Sequence, residues 1–262
     1  MSTICIFGSW DLNNIIDYSD EIDYLNDSLF VYGSIKKPII NKEEKYKTYP
    51  YKPNIKYILY ERFKEIKKEL NIRVLNICSD HILDLQKKGL LDTIANLKKE
   101  DITAIGAGLS LQKMDNYASI TYNNNIKCTI ICGSFNPKIW GVKNNSYGIN
   151  YIDKDNPMMF ISSILNIMKM NISNITIVSI NYKKRYVKEF SNLSEKLILL
   201  GVDIVVGVSD YIGGIKQIEN NYIFYSLGDM GKDHIILKIN IKNKNIEIKK
   251  IKIEKNKSNL KN

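Results

Sequence analysis

The chain has 262 residues, 44% of them hydrophobic and 25% charged, with a formal net charge of +10. That balance suffices to bury the core of one large α/β domain, expected over residues 1–254 with a polar tail at 255–262, and no Ser/Pro/Gly-rich linker divides it. No apolar run reaches the roughly 18 residues needed to span a bilayer, and no nucleic-acid-binding motif accompanies the positive charge, so neither a membrane segment nor a nucleic-acid partner is expected. Arginine occurs only at 62, 73 and 185, and lysine, isoleucine, asparagine and tyrosine are over-used together, as an AT-rich genome would produce. Solvated lysine faces therefore come before a dedicated polyanion groove as the explanation of the charge. Cys5, Cys78, Cys128 and Cys132 lie mostly in apolar runs without paired C-x-x-C spacing, which predicts buried thiols in a reducing compartment.

The chain opens on a strand at 3–8 with no basic n-region and long apolar h-region, so a cytoplasmic location is expected. A helix near 18–26 and a strand at 29–33 follow. Ile58, Leu59, Phe63, Ile66 and Leu70 recur at near-helical spacing and predict a helix over 55–70. A β-branched run at 72–78 reads as a strand, and 86–99 as an amphipathic helix. Strands are predicted at 102–106, 117–122 and 127–133. The stretch 136–156 reads as a mobile loop, followed by a helix at 158–170 and a strand at 175–180. A helix at 188–200, stopped by Gly201, leads into a strand at 202–206. Two strands near 215–227 and a hairpin of 234–241 with 245–253 close the chain. Interleaved helices and strands with a late antiparallel run argue for a layered α/β domain.

Polar residues gather where these strands end. The run ending in Asn76 continues Ile77-Cys78-Ser79-Asp80-His81-Ile82-Leu83-Asp84, then Gly89-Leu90-Leu91-Asp92-Thr93 and Gly106-Ala107-Gly108, and it holds one of only two histidines. Other segments are Phe7-Gly8-Ser9-Trp10-Asp11, Ser34-Ile35-Lys36-Lys37-Pro38, Asn181 to Tyr186, Gly207-Val208-Ser209-Asp210-Tyr211, and Tyr225-Ser226-Leu227-Gly228-Asp229-Met230. In this order, from Phe7 to about Met230, they resemble the CapA family, the poly-γ-glutamate capsule biosynthesis proteins of metallophosphoesterase-like fold. The resemblance implies a four-layer α-β-β-α sandwich like that of calcineurin-like metallophosphoesterases, with a polar site where several loops meet at one edge of two sheets.

It also exposes departures. The family's A-N-N-H-x-x-D motif keeps its His and Asp as His81 and Asp84. Ser9 stands where the first motif has a metal-site carboxylate, while Asp11 reads as a turn or helix N-cap residue. The glutamate of N-L-E-x-P is Lys36, the histidine and glutamate of H-W-G-x-E-Y are Asn181 and Arg185, the histidines of G-H-H-P-H are replaced around Ser209, and Asp229 takes an asparagine's place. A binuclear centre needs imidazoles and carboxylates converging on two cations. Cations at 36 and 185 oppose that by Coulomb repulsion, so no cofactor is expected and a divalent metal belongs only to the alternative of a metal-dependent phosphoesterase.

Lys36 and Arg185, with Asn181, Ser9, Ser79, Ser209, Asp229 and His81, are candidates for a metal-free pocket holding phosphate, carboxylate or a γ-glutamyl segment. Basic side chains that merely face water fit the same pattern. The candidate function is a divergent, metal-poor CapA-like accessory protein of bacterial γ-glutamyl polymer or related peptide-type biosynthesis, acting on an anionic small molecule or peptide beside other biosynthetic proteins. The alternative is a hydrolase or amide-bond transferase with His81 as acid or base, Asp84 or Asp80 orienting it, and Lys36 or Arg185 stabilising an oxyanion. His81 and Asp84 at i, i+3 also suit a capping and packing pair, and His234, at the start of a strand, a structural role.

Overall fold

The computed structural model describes residues 2–10, 25, 28–42, 46–49, 55–68, 70–122, 126–135, 138–230, 232–242 and 245–254. Asp11, the predicted helix near 18–26 apart from Leu25, and the tail at 255–262 lie outside the described residues.

Two sheets form the centre of a four-layer sandwich. The first runs β17-β16-β1-β2-β5-β6, where β1 is Ser2–Trp10, β2 Phe30–Ile35, β5 Ile72–Asn76, β6 Thr103–Ile105, β16 His234–Lys242 and β17 Asn245–Ile253. β1, β2, β5 and β6 are parallel, β16 and β17 form an antiparallel hairpin on the β1 side, and the short β15 (Asp229–Met230) pairs parallel with β1. The second sheet runs β13-β14-β12-β11-β9-β8, with β8 Tyr117–Tyr122, β9 Ile126–Ser134, β11 Ile175–Asn181, β12 Ile204–Val208, β13 Ile215–Ile218 and β14 Asn221–Phe224. Its four middle strands are parallel and its edges antiparallel.

Burial explains why the central strands read as continuous apolar runs. Every residue of β2 and β11 is buried, as expected of parallel strands covered on both faces. One outer face carries α1 (Tyr60–Lys68), whose Phe63 meets Trp10 of β1, and α2 (Gln86–Lys99), which buries Leu90 and Leu97. The other carries α3 (Met158–Met170) and α4 (Val187–Leu199), packed through Phe160, Ile164, Phe190 and Leu197 onto Ile131, Val178 and Val205. Tyr182 stacks on Phe190 with ring centroids 4.4 Å apart.

The helix expected over 55–70 starts later. Ile58 and Leu59 form β4, paired parallel with β3 (Ile39–Ile40), and the Ile58 N–H donates to the Pro38 carbonyl. A tertiary strand pairing thus takes residues whose spacing alone fits a helix. The stretch read as a mobile loop also has regular structure: β10 (Gly148–Ile149) pairs with β7 (Ala107–Gly108), and the Asn150 side chain donates to the Cys132 carbonyl at 2.7 Å. Gly106 has φ +92°, and a Cβ there would lie 2.4 Å from Cys132 Sγ and 2.6 Å from Cys78 Cβ, so this turn between the sheets admits only glycine.

Candidate functional site

Parallel strands place their carboxyl ends along one edge of each sheet, and polar residues occupy those ends. In the first sheet Ser9 lies beside Ser34 and Asp229, and Ser34 beside Asn76. In the second, Asn181 lies beside Ser134 and Val208, with Ser209 next in the chain. Asn76 ties the two sheets together. Its amide donates to Ser179 Oγ at 3.2 Å and its carbonyl accepts the Cys78 N–H at 2.7 Å. Behind it the Tyr32 hydroxyl sits near Ser179 and Asn76, and burial raises its pKa.

Backbone geometry joins Ser9 to Ser209. The Ser9 N–H donates to the Gly228 carbonyl at 3.0 Å, the Gly228 N–H to Ser226 Oγ at 3.3 Å, and Ser226 Oγ to the Ser209 carbonyl at 3.3 Å. Gly8 permits this approach, since a Cβ at that position would lie 2.3 Å from the Gly228 oxygen.

Charge at this edge is paired. Lys36 Nζ donates to Asp229 Oδ1 at 3.0 Å, with side-chain exposures of 22% and 7%, and Lys232 Nζ lies 3.9 Å from Asp229 Oδ2. Ser9 Oγ, Ser34 Oγ and Asn181 Nδ2 are buried and have no hydrogen-bond partner among the described residues. Buried polar atoms of that kind are uncommon in folded proteins, and here two occur at strand ends of the first sheet and one at a strand end of the second.

The loop after β5 carries the histidine. Ser79 Oγ accepts the His81 N–H at 3.3 Å at the start of a 3₁₀ turn, Asp80–Leu83, and His81 Nδ1 lies 3.1 Å from Asp84 Oδ2. His81 is about half exposed while Asp84 is buried. An aspartate at Nδ1 fixes the ring and leaves Nε2 as its other polar atom. The side chain of Asp80 lies outside the described residues.

The structure therefore links Ser9, Lys36, Asp229 and Ser209 through direct contacts or register, and brings Asn181 to the corresponding edge of the second sheet. Arg185 makes no hydrogen bond or ion pair with a described residue; it is exposed, with its guanidinium 4.8 Å above the Tyr186 ring. Ser34, Asn76 and Lys232 were not singled out by the sequence pattern. For Ser34 and Asn76 a signal exists, a polar residue ending or nearly ending a buried β-branched run, whereas Lys232 joins the site only through folding. His234 is buried and bonds the Lys232 carbonyl at 2.7 Å through Nδ1, away from the His81 loop in the chain.

A pair of divalent ions does not fit these residues. Among the described residues these strand ends supply two hydroxyls, an amide and a lysine ammonium beside the carboxylate of Asp229, and no three His, Cys, Asp or Glu side chains converge.

Comparison with known proteins agrees with this architecture. Solved structures with the same fold include a hypothetical protein from Thermus thermophilus, at TM-score 0.64 and 7% identity over 97% of this chain and 100% of that one. A phosphatase from Mycoplasma pneumoniae matches at TM-score 0.59 and 10% identity, over 96% and 93%. The fold is thus metallophosphoesterase-like. Among curated proteins, the PGA biosynthesis protein CapA of Bacillus subtilis (strain 168) is 27% identical over 228 residues, 83% of this chain and 56% of that protein. The capsule biosynthesis protein CapA of Bacillus anthracis is 24% identical over 216 residues, 79% and 51%. The chain spans about half the length of these two relatives. No helix among the described residues is long and apolar enough to cross a membrane. The family described as "Bacterial capsule synthesis protein PGA_cap" matches residues 11–234, most of the chain, and it is to this CapA-like family that the protein belongs.

Proposed function

We propose that this chain is a metal-poor, anion- or peptide-binding accessory component of bacterial γ-glutamyl polymer or related peptide-type biosynthesis, working in the cytoplasm beside other biosynthetic proteins. One observation carries the metal-poor part: the Lys36 ammonium lies on Asp229, 3.0 Å from its Oδ1, so the carboxylate that a divalent ion would need already has a cation. An ammonium has three N–H donors. With one on Asp229, the others can serve an anionic ligand together with the Asn181 amide and the Ser9 and Ser34 hydroxyls, which lack protein partners among the described residues. Arg185, and Ser79 and Ser209 on neighbouring loops, would form the outer part of that site.

Calorimetric titration of the wild type and of Lys36→Glu/Arg185→Glu with phosphate, short γ-glutamyl peptides and chloride tests the assignment. Specific binding by the wild type and its loss in the double variant is the expected result. Equal, weak, salt-screened binding by both would mean that these cations are merely solvated.

The His81–Asp84 contact favours a second function, a hydrolase or amide-bond transferase in which His81 moves a proton and Asp84 holds its ring. His81→Gln would then abolish turnover of a γ-glutamyl amide while leaving ligand affinity near wild type. A metal-dependent phosphoesterase is the remaining alternative, and it requires stoichiometric metal in protein purified without chelator.

A further inference from the structure

The positive charge of this chain is concentrated at one end. Residues 232–262 contain ten lysines against Asp233, Glu247 and Glu254, so seven of the ten net charges of the whole sequence fall there. A uniform lysine bias would spread the excess along the chain, and therefore does not account for it. The same segment has no arginine and no Phe, Trp or Tyr.

Folding places much of this charge on the β16–β17 hairpin, with β17 as the outermost strand of its sheet. Lys238 stands directly opposite Lys249 in the antiparallel register. Like charges at opposed positions weaken such a pair. Lys249, Lys250 and Lys252 are exposed, and consecutive residues of a strand face opposite sides, so cations project from both faces of the edge. Lys252 pairs with Glu254, whereas Lys238, Lys249 and Lys250 make no hydrogen bond or ion pair with a described residue. An isolated lysine would suffice to discourage edge-to-edge pairing. A row of three exposed lysines exceeds that need.

We propose that this hairpin is a docking surface for an anionic lipid bilayer. Lysine is a hydrated point charge without the planar fork with which arginine grips individual phosphates or carboxylates. The absence of aromatic side chains removes the platforms on which single-stranded nucleic acid stacks. Charges on both faces of an edge roughly 30 Å long, the reach of a nine-residue strand, define no groove that a single polyanion would follow. A plane of diffuse headgroup charge matches them. Lys232, 68% exposed and 3.9 Å from Asp229, places the start of this basic segment beside the candidate site.

Co-sedimentation of the full chain with phosphatidylcholine vesicles, with and without phosphatidylserine, tests the proposal. Binding is expected only with phosphatidylserine, and it should disappear at high salt. Each lysine at an anionic surface strengthens binding roughly fivefold, so Lys249→Gln/Lys250→Gln should bind roughly 25-fold more weakly. Both residues are exposed on an edge strand, and an unchanged thermal midpoint would show that the variant is folded. Sedimentation with neither vesicle or with both alike overturns the proposal, as does undiminished binding by the variant. Tighter capture by heparin or RNA than by phosphatidylserine vesicles would assign the surface to a soluble polyanion instead.

Discussion

Lys36 and Asp229 meet at 3.0 Å although 193 positions separate them in the chain, and their contact joins the end of β2 to the strand that lies beside Ser9. Removing the cation leaves a carboxylate that is 7% exposed, with Lys232, 3.9 Å away, as its one other cation among the described residues. Lys36→Met should therefore destabilise the fold by about 1–3 kcal/mol. Lys36→Met/Asp229→Asn should cost less than the sum of the two single changes, because neither partner is then left alone. Urea unfolding of the four proteins gives the coupling, and strict additivity would show that solvent already screens the pair.

Polar groups at the same edge differ in what they hold. Asn76 satisfies the Cys78 N–H and reaches Ser179 on the facing sheet, so Asn76→Ala strands a buried donor and opens a cavity. A loss of about 2–4 kcal/mol is expected. Ser34 Oγ has no such partner among the described residues, and Ser34→Ala should stay within about 0.5 kcal/mol of wild type or raise stability slightly. Equal losses for both variants, measured by urea midpoint, would show that Ser34 is satisfied in solution by ordered water.

Much of the layered fold was legible in local patterns. The helices at 86–99 and 158–170 appear with the bounds their apolar spacing predicts, because each buries one stripe on a sheet. The two-residue strands β3 and β4 are too short to carry a period, and Ile58 fits a helical pattern equally well, so only the folded chain reveals them. For the site, the motif order located Ser9, Lys36, His81, Asn181, Ser209 and Asp229 at strand ends or on the loops that follow. Their partners were not legible. That Lys36 is held by Asp229, and that Arg185 lies over the ring of its own neighbour, depends on register and rotamer, which residue type does not determine.

Asp203 gives the fold a pH dependence of predictable sign. Its Oδ2 accepts the Thr176 N–H at 2.7 Å, while burial raises its pKa above the ordinary 3.8. A carboxyl group whose folded pKa is raised contributes stability that is fully present below the unfolded pKa and is lost as pH rises through the folded value. Asp203→Asn keeps an acceptor for Thr176 and cannot ionise. The variant should therefore gain on the wild type between pH 3 and pH 7, measured as the difference in urea midpoint at each pH. A difference that stays constant across that range would show that the folded and unfolded pKa values coincide.

Reversing the charge at position 36 tests whether Lys36 is what keeps divalent ions out. Lys36→Glu sets a second carboxylate beside that of Asp229, and the two like charges repel. The variant should therefore be less stable than the wild type at neutral pH, read as a lower thermal midpoint. Manganese should relieve the repulsion by binding the introduced carboxylate, Asp229 and neighbouring side-chain oxygens. At ten times its dissociation constant it would restore about 1.4 kcal/mol, read as a rise in thermal midpoint. The wild type, with its ammonium in place, should show no such rise. An equal manganese response in both proteins would mean that the ordinary chain already binds the ion and that Lys36 is no barrier to it. A folded variant that ignores manganese would mean that the strand ends lack the geometry for a divalent ion even with a second carboxylate supplied.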